Sequence, residues 1–277
     1  MRAPQAGFTL TELVVVLIPM SLVAAGAVGF FATHNRTYVQ QDIAVSTQEN
    51  LRAAMGMVTD TLRTAGCGVP KSNLGNWITW VSGFDNDPVV VTDGGAEPDT
   101  LSVAACTPQP VARLSATAAA GGTSISLASD YAATTVSQLL NGTDKSLILI
   151  GDGQHARVVS VSGNTVNIDT DPTTNGAQGL ARPYVAGTAI TRIDVTTFQV
   201  EHDGDDGDCD SRLPWLRFNK HRGSEDPAAE GISDLQVATM VAGAHYQVTL
   251  TARAEATDPV GGQVLTRSLS SDVRLRN

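Results

Sequence analysis

Glu12 stands at the head of a run, Leu13 to Thr33, that holds no charged residue at all. A carboxylate set in an apolar segment is costly in a bilayer and usually faces a partner or a functional pathway, so the chemistry it offers is charge pairing. A second candidate is the acidic stretch from His202 to Asp210, where Asp203, Asp205, Asp206, Asp208 and Asp210 alternate with Gly204, Gly207 and Cys209. Oxygen-rich loops of this kind suit calcium, a hard cation. The spacing departs from the EF-hand pattern and lacks its closing glutamate, so an acidic, solvated turn between two strands is the competing reading. Three cysteines, Cys67, Cys106 and Cys209, cannot all pair within one chain. In an oxidising compartment one disulfide is expected, and Cys67 with Cys106 is favoured because the shorter loop lies within one predicted unit. The alternative is that all three are small buried residues.

The remaining reactive residues carry less. His34, His155, His202, His221 and His245 are scattered without metal-ligand spacing. No zinc-protease, nucleophile-elbow, phosphate-loop or dinucleotide fingerprint is present, so the sequence predicts a non-enzymatic protein with no cofactor beyond the calcium considered above. Trp77, Trp80 and Trp215 read as core or surface anchors, with an exposed Trp77 and Trp80 pair as a sugar- or partner-binding alternative. The formal net charge is −10 and no run of Lys or Arg offsets it, which disfavours nucleic acid as a partner.

Glu12 is positioned by one long helix. With Phe8 to Thr11 included, the apolar run exceeds the roughly 20 residues that a membrane-spanning helix needs. The leader before it is too short, and the run too long, for an ordinary secretory signal. Beyond Ala32 the pattern turns amphipathic: Leu51, Met55, Val58, Leu62 and Ala65 recur at spacings of four and three, while Gln48, Glu49, Arg52, Thr59, Asp60 and Arg63 lie on the other surface. Gly66 and Gly68 supply a stop. Such a helix from Phe8 to Ala65 would be about 87 Å long. Pro19 is expected to kink or loosen it, and Gly26 and Gly29 to weaken it further.

The segment Gly7-Phe8-Thr9-Leu10-Thr11-Glu12 resembles the cleavage motif of type IV prepilins. The resemblance implies that a prepilin peptidase cuts between Gly7 and Phe8 and methylates the new amine of Phe8. It also implies that Glu12 pairs with the Phe8 ammonium of a neighbouring subunit during assembly. More specifically, Tyr38 to Arg52, Arg63-Thr64-Ala65-Gly66-Cys67, Asp99 to Val103, Ile232 to Val237 and Val273 to Asn277 are similar to PilW-type minor pilins. That likeness covers the helix well and the rest patchily. It implies a structural minor pilin that starts assembly or caps the tip, with other minor pilins, the major pilin, the inner-membrane assembly platform and a tip adhesin as partners. Before assembly it would sit in membrane lipid as a single-pass inner-membrane protein with a periplasmic head, and afterwards in an extracellular pilus of a Gram-negative-type bacterium. The alternatives are a type II secretion pseudopilin, a major pilin, or an adhesin or ligand-binding subunit.

The rest of the chain reads as β structure. Runs at Val89–Val91, Thr100–Ala105, Ser124–Ala128, Ser146–Ile150, Ala156–Val161, Thr165–Asp169, Ala189–Glu201, Pro214–Asn219, Tyr246–Ala254 and Ser268–Leu275 are short, β-branched and bounded by Gly, Asn or Asp. No βαβ rhythm or fixed-period repeat appears. The expected fold is α+β, with a long N-terminal helix packed on a mainly antiparallel β head. The expected organisation is a leader at 1–7, a membrane half-helix at 8–33 and an amphipathic half at 34–68. A head built from 69–110 and 192–277 carries an inserted β module at 111–191, with a hairpin turning at Ser162-Gly163-Asn164.

Overall fold

The computed structural model describes residues 10–129, 136–140, 146–201, 214–220, 226–257 and 264–275. The fold is α+β: one long N-terminal helix and a body of antiparallel strands. Helix α1 spans Leu10–Thr64 and passes through Pro19, Gly26 and Gly29 without interruption. Its first turns are exposed on every side; burial begins at Thr47 and continues through Leu51, Ala54, Met55, Val58, Thr59 and Leu62. Most of these recur every three to four positions, so one stripe of the helix faces the body; Thr59, expected on the other surface, is buried within it and donates its hydroxyl to the Met55 carbonyl at 2.8 Å. The helix then ends in a turn in which Gly66 and Gly68 adopt φ of 80° and 62°, a region that favours glycine.

The body begins with a one-turn helix α2 (Leu74–Trp77) and strands β1 (Val89–Thr92) and β2 (Thr100–Cys106). Next come β3 (Ala112–Leu114), β4 (Ser124–Ser129), the short helix α3 (Val136–Leu140), β5 (Leu147–Ile150), β6 (Gln154–Ser162) and β7 (Thr165–Asp169). The chain then runs through β8 (Ala189–Glu201), β9 (Trp215–Asn219), β10 (Asp226–Glu230), β11 (Ile232–Val241), β12 (His245–Thr257) and β13 (Val264–Arg274). The β6–β7 connection turns at Gly163, whose φ of 59° fits the tight hairpin expected there.

Two sheets enclose the buried half of α1. One is β11-β12-β13; the other is the β1-β2-β8-β9-β10 part of a ten-stranded sheet. Leu51, Met55, Val58 and Leu62 share a core with Leu101, Phe198, Leu216, Leu235, Tyr246 and Leu250 from both sheets. Asp99 ties the sheets together from within: its carboxylate accepts the Gly94 N–H at 3.0 Å and the Val237 N–H at 2.7 Å. A buried charge is tolerable when backbone donors satisfy it in this way.

The other strands form a second unit. The order β8-β3-β4-β7-β6-β5 returns to β8, because β5 pairs with β8 from Leu147↔Ile193 to Ile150↔Ile190. Six strands therefore close into a small barrel, which leaves no free edge among them. Its interior is filled by Leu127, Ile148, Ile150, Val158, Val166, Ile168 and Ile190, with Val136 and Leu140 of α3 packed against them. Strand β8 belongs to both units: its first residues pair with β3 and β5, and later ones with β2 and β9. The boundary expected between 191 and 192 falls inside this continuous strand.

Candidate functional site

The projecting half of α1 is the most unusual surface of the molecule. From Leu10 to Ser46 it extends about 55 Å before the first buried residue. Thirteen large apolar side chains from Leu10 to Phe31 are exposed, among them Val15 at 68%, Leu22 at 70% and Phe31 at 70%. Each costs about 1.5–3 kcal/mol to leave in water. They are distributed around the whole circumference, the pattern of a helix surrounded by lipid or other helices and not of one lying on a single surface. The segment is long and apolar enough to cross a membrane.

Its polar atoms fit the same environment. The Ser21 hydroxyl donates to the Ile18 carbonyl at 2.7 Å, and the Thr33 hydroxyl to the Gly29 carbonyl at 2.9 Å. Hydroxyls bonded back to their own helix need no water. Glu12 occupies the first turn, where a carboxylate favours the helix dipole, and its side chain is exposed. Gly7 and Phe8 lie outside the described residues. At the other end of the apolar run, the Phe30 and His34 rings meet at a tilt of 57° with centroids 4.5 Å apart.

The second candidate region is the joint between the helix end and the barrel. Cys67 and Cys106 are joined by a disulfide with Cα atoms 5.2 Å apart. It is flanked by two backbone bonds, Gly66 N–H to the Ala104 carbonyl at 3.0 Å and Cys106 N–H to the Cys67 carbonyl at 2.9 Å. From the barrel, the His155 Nε2–H donates to the Gly68 carbonyl at 2.8 Å. A Cβ added to Gly68 would lie 3.1 Å from Leu149. Burial pushes the His155 pKa down, and its bond to Gly68 only partly offsets this. Trp77 and Trp80 are half-buried and pack into this joint, with the Trp77 ring 6.1 Å from His155. They are anchors, not an exposed platform.

These contacts orient the molecule. The barrel meets α1 at its C-terminal end, whereas the opposite end of the body is met at Asn50, whose side-chain amide donates to the Glu230 carbonyl. The barrel thus crowns the body at the end away from the apolar half-helix.

The other residues singled out in the sequence are not brought together. Asp203, Asp205, Asp206, Asp208 and Asp210, with Cys209, His202 and His221, lie outside the described residues. Among the described residues no group of His, Cys, Asp and Glu is placed to hold a metal ion. His245 lies on β12, 3.7 Å from Asp272, while His34 lies on α1 and His155 on β6. Sequence reasoning missed Asp99 and the Asp87–Tyr246 bond of 2.8 Å, in which burial and the adjacent carboxylate push the phenol pKa up. Neither has a local signal, because Val237 and Tyr246 lie 138 and 159 residues away along the chain.

Comparison with protein-family models, with curated proteins and with solved structures finds no match.

Proposed function

We propose that the chain is a pilin-like structural subunit, a minor component of a type IV pilus that starts assembly or caps the tip. In this reading, cleavage between Gly7 and Phe8 frees a mature chain that waits in the inner membrane through its apolar half-helix with the body in the periplasm. The observation that carries the reading is the division of one uninterrupted helix into a wholly exposed apolar half and a half buried in the body. A subunit that passes from lipid into a filament needs that division, since the same apolar surface must suit lipid first and neighbouring helices later. Glu12 becomes tolerable in such a core when it meets the methylated Phe8 ammonium of a neighbour.

The position of the barrel supports a terminal place. It meets the chain just past the C-terminal end of α1, at Gly68, and in this reading it would cover the surface on which the body of a further subunit stacks. The partners are then the prepilin peptidase, the assembly platform, the major pilin, other minor pilins and an adhesin at the tip.

The test is Glu12→Ala in cells that make the filament. Cleavage after Gly7 stays intact, while the amount recovered in sheared filaments falls at least about tenfold, because only the buried charge pair is lost. Normal recovery of the variant would remove the role given to Glu12.

A further inference from the structure

The apolar core of the joint is split between two parts of the chain. Val69, Leu74, Ile78, Phe84 and Ala104 come from the segment between Cys67 and Cys106, and Leu147, Ile193 and Val195 come from β5 and β8. Half of the socket that receives the barrel therefore lies inside the loop that the disulfide closes, across a sequence separation of 39. Its C-terminal end is held by β2, which pairs with β8; before β1, apart from α2, it is held by turns and by scattered bonds such as Leu74 N–H to the Asp85 carbonyl at 2.7 Å. The barrel and the helix-bearing body, in contrast, each have a core of their own. Cys67 is exposed, so the bridge can be approached from solvent, and Gly68 next to it carries the carbonyl that His155 grips.

We propose that this joint is a thiol-sensitive clasp: opening Cys67–Cys106 with a dithiol loosens the socket and the barrel's seat while both cores stay folded. One thiolate of the dithiol attacks Sγ of Cys67, the Sγ–Sγ bond breaks, and Cys106 leaves as a thiolate. The second thiol of the reagent then attacks the mixed disulfide, closes the reagent's own disulfide and releases Cys67. Two electrons pass to the protein pair, the dithiol is oxidised, and its two protons end on the two cysteines. With the bridge gone, the Cys106 N–H to Cys67 carbonyl bond and the His155 to Gly68 bond lose the link that holds their partners in place, and the segment from Cys67 to Pro88 opens locally.

The experiment is hydrogen–deuterium exchange on the full chain in detergent micelles, in a Cys209→Ser background so that the third thiol takes no part, with and without dithiothreitol. Exchange in residues 66–90 and at 104–107 rises at least tenfold on reduction, while β4, β7 and the buried half of α1 keep their protection. A Cys67→Ser/Cys106→Ser chain gives the same pattern without reagent. The proposal is overturned if the bridge resists dithiothreitol, if residues 66–90 exchange at the same rate in both states, or if both cores lose protection together with the joint.

Discussion

At the scale of single residues, the body depends on a few polar groups placed where apolar ones would be cheaper. Asp99 is 4% exposed and accepts two backbone N–H groups from separate segments. Asp99→Ala leaves both donors unpaired, and urea unfolding should register a loss of about 3 kcal/mol, with a smaller loss for Asp99→Asn. His155 sets a pH response. Its folded pKa lies below the ordinary value of about 6.5, so the folded chain binds fewer protons than the unfolded one in the interval between the two. Stability is therefore level above that value and falls as pH drops through it towards the lower folded value. His155→Gln keeps a donor for the Gly68 carbonyl and does not titrate. Unfolding followed from pH 7.5 to 5 should separate the two chains only at the acid end; parallel curves would contradict the account. Glu12 was legible in the sequence because a lone charge in an apolar run stands out without any fold. Asp99 was not, because nothing local marks it as buried or names Val237 as its partner.

At the scale of elements, α1 is one secondary structure with a buried half and a wholly exposed apolar half. Leu62 is 0% exposed within the body, whereas Leu22 is 70% exposed in the projecting half. Leu62→Ala should lower the stability of the body by about 2–5 kcal/mol, and Leu22→Ala should leave it unchanged, as thermal unfolding in detergent can measure. The disulfide closes a long loop, so Cys67→Ser/Cys106→Ser should cost about 4 kcal/mol on the chain-entropy account. The helix could be read from its 3.6-residue period, and ten strands from β-branched runs between turn residues. β11 hid because a register shift between Ile232 and Asp234 breaks its alternation. β10 hid because Asp226-Pro227-Ala228-Ala229-Glu230 has poor strand propensity and is extended only through its edge pairing with β9. β3, of three residues, is too short to carry a period, and it is one of the strands that close the barrel.

At the scale of the whole molecule, the parts lie in one order: apolar half-helix, helix-filled body, barrel. The strands between 124 and 169 were visible in the sequence, but not that with β3 they close on β8 or that they sit at the far end. Both depend on long-range pairings such as Leu147↔Ile193. The net charge of −10 bears on how the chain meets a membrane. An acidic chain gains nothing from anionic lipid, so the proposed membrane anchoring has to be hydrophobic and carried by the apolar half of α1. Binding to neutral phosphatidylcholine vesicles should survive an increase from about 0.1 to 1 M salt, where an electrostatic anchor would be screened away. Release by salt in a flotation assay would contradict the anchor.

The measurement that tests the central claim most directly is mass spectrometry of sheared filaments and membranes, following the peptide that begins at Phe8. The account predicts an N-methylated Phe8 terminus, present in filaments at a small fraction of the major subunit. A chain found only in membranes and still beginning at Met1 or Arg2 would contradict it, leaving a simple membrane anchor in place of a filament subunit.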